Sequence, residues 1–181
     1  MPNKQILIWL KSAIISLEDP SNPIERAYIP GATSTWRDIK TWENYAYVIA
    51  DVGNDGLLII NMAGAPTNIT HNFLNIRFLY NGSPVSIEKC HNLYIDENGI
   101  LYLSGCNTGS NGVMMFDLNE DPENPEYLGA ESATYSHDNV ARGDPLWTSD
   151  LTSGFAAWDV SDKANPVELA RQSTTSNFTH N

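Results

Sequence analysis

The sequence predicts an all-β fold, a β-propeller built of four-stranded antiparallel blades, and three observations lead to that prediction. Similar apolar blocks recur at intervals of about 45 residues, which is the usual length of one blade. Each block is followed by a corner rich in Asp, Asn and Pro. A dipeptide that begins with Arg or His opens each unit, and it recurs at intervals similar to those of the apolar blocks and the corners.

The apolar blocks and the corners define the second half of each unit. The blocks are GLLIINM (56–62), GVMMFDL (112–118) and GFAAWDV (154–160), preceded by the degenerate SAIISL (12–17). The corners are DPSNP (19–23), DPENP (121–125) and DKANP (162–166), with the looser GAPTN at 64–68. Asp-Pro and Asn-Pro favour extended or turn geometry, and they suit positions where no backbone N–H is needed to pair with a neighbouring strand. We therefore interpret each block as a third strand and each corner as the turn that leads into the fourth.

The sequence of the first half of a unit predicts a β-hairpin. The segments HNLYID (91–96) and ILYLSG (100–105) are rich in β-forming residues, and the turn residues Glu97-Asn98-Gly99 separate them. Such a pattern is typical of two antiparallel strands. A β-sandwich would also contain short strands with regular turns, but it does not require three markers in phase.

The units divide the chain into one partial propeller domain, residues 1–181. We expect a half blade at about 1–36 that supplies only the last two strands of its unit. Complete blades are expected at about 37–90, 91–136 and 137–179, and residues 180–181 open a further blade. Closed propellers contain about four to eight blades. The sequence thus predicts an incomplete arc of three blades and a half blade, as in a fragment of a longer protein.

Composition excludes several classes of partner. The chain has 22 Asp and Glu against 10 Lys and Arg, a net charge of −12. This balance repels phosphate backbones, so no nucleic-acid partner is expected.

The opening MPNKQILIWLKSAIISL is a poor match to a signal peptide, because its apolar run is short and Lys11 interrupts it. No stretch approaches the roughly 20 apolar residues of a transmembrane segment.

The chain has two cysteines, Cys90 and Cys106, and their spacing is not that of a zinc ribbon or a CxxC redox motif. Cys90 precedes the predicted hairpin and Cys106 follows it, so the two can lie opposite one another. A disulfide is possible if their Cα atoms are about 4.4 to 6.8 Å apart. Two buried thiols are the other possibility, and the sequence leaves both open.

Several longer stretches resemble known bacterial repeats. The blocks GLLIINM and GFAAWDVSDKANPVEL resemble the LVIVD repeat. The stretches IPGATSTWRDIKTWENYAYVIADVGNDGLLI, CHNLYIDENGILYLSGC, YSHDNVARGDPLWTSDL and FTHN are similar to the choice-of-anchor B family. The resemblance covers about residues 14 to 181. It implies a secreted or surface-anchored bacterial propeller, joined in family members to various C-terminal anchoring domains, whose molecular activity is undefined.

The dipeptides that open the units are the main candidate site, because the first strand of a propeller blade lines the central channel. They are Arg37-Asp38, His91-Asn92, His137-Asp138 and His180-Asn181. Imidazole nitrogens can bind a transition metal, and carboxylate oxygens can bind a harder cation. The structural alternative, which we favour at this stage, is that these residues bond the backbone of neighbouring blades.

Two further patterns concern chemistry. Asp51 and Asp55 in DVGNDG (51–56) suggest a weak calcium site, but the loop lacks the closing Glu of an EF-hand, and we favour its explanation as a turn. Ser136, His137 and Asp138 include the residue types of a hydrolytic triad. Adjacent strand residues point to opposite faces, so we expect no relay among these three.

These observations support two hypotheses of function. The first is a non-enzymatic extracellular or cell-surface interaction module that presents its blades to a surface protein or a glycan. The alternative is a metal-dependent hydrolase or lyase that uses channel-facing histidines, with His91, His137, His180, Asp51 and Asp55 as candidate ligands. The cofactor would be calcium or a transition metal.

Overall fold

The computed structural model describes residues 4–9, 11–108, 111–173 and 178–180, and these residues form antiparallel β-sheets with no α-helix among them. Three of the sheets have four strands each, joined in chain order so that every strand pairs with the next. This is the meander of a propeller blade. The fold prediction is confirmed, since the sheet arrangement is that of an incomplete β-propeller.

The strands of the three four-stranded blades follow the predicted order. The second blade contains β4 (Arg37–Trp42), β5 (Tyr45–Ala50), β6 (Leu57–Gly64) and β7 (Asn68–Leu74). The third contains β10 (Asn92–Ile95), β11 (Ile100–Ser104), β12 (Val113–Asp117) and β13 (Glu126–Glu131). The fourth contains β14 (Asp138–Ala141), β15 (Pro145–Ser149), β16 (Phe155–Asp159) and β17 (Val167–Gln172).

The first sheet has three strands where the sequence predicts two. These are β1 (Lys4–Trp9), β2 (Lys11–Ser16) and β3 (Ile24–Ile29). The first two pair from Lys4 opposite Ser16 to Trp9 opposite Lys11. The apolar run that partly resembles a signal peptide thus forms an additional strand, because an apolar run of this length is also suited to a sheet.

A two-stranded hairpin that the sequence analysis missed lies between the second and third blades. It consists of β8 (Arg77–Tyr80) and β9 (Ser83–Ser86). Its turn residues Asn81 and Gly82 both have positive φ, at 49° and 76°. Asn-Gly at this position is the usual signature of a two-residue hairpin turn, so the local signal was present.

The hydrophobic core lies between adjacent blades. Along β6, Leu57 and Ile59 belong to the cluster shared with the third blade, whereas Leu58 and Ile60 belong to the cluster shared with the first. The alternation follows from the period of two in a strand, and burial of both faces explains why this block is apolar throughout. The third and fourth blades enclose a similar cluster that includes Met115.

The repeated corners have a structural explanation. In each of them the backbone N–H of the Asn donates to the carbonyl of the Asp three residues earlier, and the Asp side chain accepts from a backbone N–H two residues ahead. The three corners begin at Asp19, Asp121 and Asp162. Two of them also touch the preceding blade, since the Tyr47 hydroxyl donates to the Pro122 carbonyl at 2.9 Å and Gly129 lies against the backbone of Lys163. The corner is therefore a contact between blades as well as a turn.

Cys90 and Cys106 form a disulfide in the structure. The register of the β10–β11 hairpin places Asn92 opposite Ser104, and two further steps place the cysteines opposite each other. Their Cα atoms are 3.8 Å apart, which is closer than the range that we expected. Both side chains are buried.

Among the described residues, no helix is long and apolar enough to cross a lipid bilayer.

Candidate functional site

The residue in the second position of two opening dipeptides, Asp38 and Asn92, binds the next blade. The Asp38 carboxylate accepts hydrogen bonds from the Asn92 side chain at 2.9 Å and from the Leu93 backbone N–H at 3.2 Å. One blade further on, the Asn92 side-chain oxygen accepts from the Asn139 side chain at 3.1 Å and from the Asn139 backbone N–H at 3.3 Å. Equivalent residues thus repeat the same contact. These side chains support the structural interpretation made from the sequence.

The residues in the first position of three dipeptides meet in one cluster. The ring centroids of His91 and His137 are 3.8 Å apart, and those of His137 and His180 are 4.5 Å apart. His91 and His137 directly precede the first strands of their blades. The backbone N–H of His91 donates to the backbone carbonyl of Ser104, and that of His137 donates to the backbone carbonyl of Ser149. Both serines lie at the ends of the second strands of their blades. The start of each hairpin therefore fixes the position of its histidine.

Each of the three imidazoles has a carboxylate near its Nδ1 atom. Asp138 Oδ2 lies 2.8 Å from Nδ1 of His137 and 3.9 Å from Nδ1 of His180. Asp51 Oδ2 lies 3.6 Å from Nδ1 of His91. The Asp138 side chain is largely buried and that of Asp51 is partly buried. Carboxylates in this position orient imidazole rings and select the tautomer with the proton on Nδ1.

The electrostatics of the cluster favour a neutral His91. Burial lowers the pKa of His91, and the adjacent His137 lowers it further. Asp138 and Asp51 oppose this change without reversing it. A neutral imidazole is the form that binds metals.

His91, His137 and Asp138 offer ligand atoms that all lie within 4.8 Å of one another. The three histidines also line an open cleft of about 370 Å³. The remaining lining residues are Trp36, Asp51, Leu151 and Phe178. The cleft is thus lined by titratable groups together with aromatic and aliphatic side chains.

Arg37 and Asp55 lie in a separate group next to this cluster. Arg37 donates to the backbone carbonyl of Ala32, and the Asp55 carboxylate accepts from the backbone N–H of the same residue. Asp51 is also engaged locally, since it accepts from the Ser34 hydroxyl at 2.6 Å. The DVGNDG segment therefore serves to hold the loop around residue 32, and of its two carboxylates only that of Asp51 also faces a histidine of the cluster.

Ser136, His137 and Asp138 form no relay, as expected, although one neighbouring pair does interact. Asp138 contacts its neighbour His137 through Nδ1, because His137 lies before the first residue of β14 and the alternation of a strand does not apply to it. Ser136 is directed elsewhere, with its hydroxyl donating toward Asp150 at 2.9 Å and Glu131 at 3.3 Å. A serine relay is therefore not assembled.

Sequence reasoning missed the buried carboxylates around Ser136. Glu131 and Asp150 are both almost fully buried, and Arg171 donates to Asp150 at 2.7 Å. Burial raises the pKa of Glu131. The only local signal was the position of both acids at the ends of strands, which is also common for turn residues.

No model of a known protein family matches the chain, and no curated protein matches it. Solved structures resemble it in fold. One is PorZ, described as an essential bacterial surface component of the type-IX secretion system of Porphyromonas gingivalis, with a TM-score of 0.64 and 13% identity. Another, from Bacteroides fragilis, is provisionally described as a 6-phosphogluconolactonase, with a TM-score of 0.58 and 10% identity.

The alignment covers 90% of this chain but 25% of PorZ, and 88% of this chain but 48% of the Bacteroides fragilis protein. The chain thus spans less than half of either structure. Both are propeller-like folds. At identities this low, the likeness shows the fold alone.

Proposed function

We propose that the chain is part of a bacterial surface β-propeller of the LVIVD or choice-of-anchor B type that serves as a non-enzymatic interaction or scaffold module. The observation that carries the proposal is the outer strand of the fourth blade. Val167 and Leu169 on β17 are 57% and 62% exposed. β17 is an edge strand of its sheet, with β16 as its partner. Exposed apolar side chains on an edge strand suit contact with another protein.

The use of the polar residues supports the same proposal. Asp38 and Asn92 are engaged in contacts between blades, and Ser136 is engaged with buried carboxylates. The repeated residues are thus explained by assembly of the blades. The sequence resemblance and the fold likeness to a surface component of a secretion system are in agreement with a location at the cell surface.

A capture experiment with the outer-surface fraction of the source cells tests the proposal. We expect a protein or glycan to cross-link to the chain and to be lost when Val167 and Leu169 are both replaced by Ser. Replacement of Gln172 by Ala on the same strand is the matched control, because Gln172 is exposed and polar. Recovery of the same cross-linked partner in equal amounts with the unmodified chain and with the double variant would count against an interaction role for this strand.

A metal-dependent hydrolase or lyase is the second candidate, and the cluster of His91, His137 and Asp138 is the specific observation that favours it. A histidine-bound metal can lower the pKa of a water molecule and generate a nucleophile at neutral pH. Assays of ester, lactone and phosphoester hydrolysis after zinc loading test it. Turnover that is the same in the chain and in H137A would exclude this cluster as its source.

A further inference from the structure

His91, His137 and His180, which meet in one cluster, come from the starts of successive repeat units. His91 opens the third blade, His137 opens the fourth, and His180 follows the last strand of the fourth. Their rings form a continuous row with centroid separations of 3.8 and 4.5 Å. The remaining histidine, His71, lies on β7 and packs edge-on against Phe73. Three of the four histidines are therefore concentrated in one place by the fold.

A carboxylate oxygen lies near Nδ1 of each ring. Asp138 faces Nδ1 of both His137 and His180, at 2.8 and 3.9 Å, and Asp51 faces Nδ1 of His91 at 3.6 Å. Of these contacts, only that between His137 and Asp138 is within hydrogen-bond distance. Imidazole nitrogen and carboxylate oxygen are both ligands of divalent transition metals, so the short contact brings two ligand types together.

We propose that His91, His137 and Asp138, whose ligand atoms all lie within 4.8 Å of one another, bind one divalent transition-metal ion, with His180 and Asp51 beside the site as positioning residues. Imidazole ligands suit zinc, copper, nickel and iron, whereas calcium and magnesium require oxygen ligands. Three protein ligands leave a coordination position directed toward the cleft, where water or a small anionic ligand can bind. This inference goes beyond the surface role and does not depend on it.

A bound metal would join the third and fourth blades at the axis. The ligands His91 and His137 are not joined by a covalent link other than the chain between them, so the ion would add a connection that the unfolded chain lacks. Binding to the folded state alone raises thermal stability by an amount that depends on ligand concentration and affinity. Metal binding therefore has a readout that requires no catalytic activity.

The test uses the whole chain, stripped of metal by a chelator and then titrated with Zn²⁺ in a calorimeter. We expect one ion per chain and an increase in the melting temperature. Co²⁺ in place of Zn²⁺ should give the visible absorption bands of a nitrogen-ligated, low-coordinate site. Mg²⁺ is the control ion and should give neither binding heat nor a thermal shift.

Two ligand variants and one control variant identify the site. H91A should weaken zinc binding at least tenfold, because His91 supplies one of the three ligands. H137A should abolish the Co²⁺ bands. H71A should bind zinc as the unmodified chain does.

The role of Asp138 as a ligand is tested with D138N, which removes the carboxylate charge from the site. We expect zinc affinity to fall at least tenfold. Zinc binding that is equal in the chain, in H91A and in H137A would overturn the proposal, and so would the absence of any zinc binding by the folded chain. Metal binding without hydrolysis would instead reject only the enzymatic candidate.

Discussion

The Asp38 carboxylate accepts a hydrogen bond from the backbone N–H of Leu93, 3.2 Å away in the next blade. The same relationship recurs between Asn92 and Asn139, at 3.3 Å. A side chain at the start of one first strand thus binds the backbone just inside the next first strand. The second positions of these two dipeptides thus connect the second blade to the third and the third to the fourth, and the recurrence of the contact once per blade accounts for their spacing.

We expect D38A to lower the free energy of unfolding by about 1 to 3 kcal/mol, because it leaves donors of Asn92 and Leu93 without their acceptor. D38N should cost less, since its amide oxygen can still accept. Urea denaturation measures both. E25A is the control, because Glu25 is exposed on the edge strand β3, and it should change stability little. Equal stability of D38A and E25A would show that the contact between blades is unimportant.

Gly129 lies so close to the next blade that a side chain cannot be added without movement. A Cβ built there would overlap the backbone carbonyl of Lys163 in the DKANP corner. We expect G129A to destabilise the fold by about 1 to 3 kcal/mol. At Gly31 the nearest atom to an added Cβ is a side-chain oxygen of Asp55, at 3.0 Å, and not a backbone atom. A thermal melt should show a smaller loss for G31A, and the opposite order would contradict this account of the corner.

The Cys90–Cys106 disulfide closes a short loop, with 16 residues of sequence separation. A cross-link over a loop of this length stabilises by about 3 kcal/mol, mainly by restricting the unfolded chain. Reduction should lower the free energy of unfolding by that amount. Denaturation with and without reductant measures the change, and alkylation of the unfolded chain counts free thiols. The double variant C90A/C106A should be insensitive to reductant. An unreduced chain that alkylates at both cysteines would show that the bond is absent.

Glu131 makes stability depend on pH. Burial raises its pKa, Asp150 contributes in the same direction, and the hydrogen bond from the Ala133 backbone only partly opposes them. The folded protein therefore holds this proton more tightly than the unfolded chain does. As pH rises from the ordinary carboxyl pKa to the raised value, the unfolded state loses the proton first and the free energy of unfolding falls. Nearby Arg171 donates to Asp150 and not to Glu131 in the described contacts.

E131Q should remove this part of the pH dependence. The measurement is urea denaturation over a series of pH values, with the difference between the chain and the variant plotted against pH. E126Q is the matched control, because Glu126 is exposed on the same strand. The E131Q difference should change across the acidic range while the E126Q difference stays flat. A constant E131Q difference would mean that the two states bind this proton equally.

The sequence by itself determined the blades. The apolar blocks, the Asp-Pro and Asn-Pro corners and the turn at Asn98-Gly99 are local patterns, and their chemistry specifies strand or turn wherever they occur. The repetition of these patterns then identified the propeller. The hairpin at Asn81-Gly82 carried an equally local signal, so it was open to the same reasoning.

Only the tertiary structure decided what the repeated polar residues do. It separated the first position of the dipeptides, where the rings of His91 and His137 contact each other, from the second, where Asp38 and Asn92 bind the next blade. It also brought Asp51 to His91, and buried Glu131 and Asp150 around one hydroxyl. These contacts join residues of different strands and blades. They depend on how the sheets stack and on which way a side chain turns at the end of a strand, and neither is specified by residues adjacent in the chain.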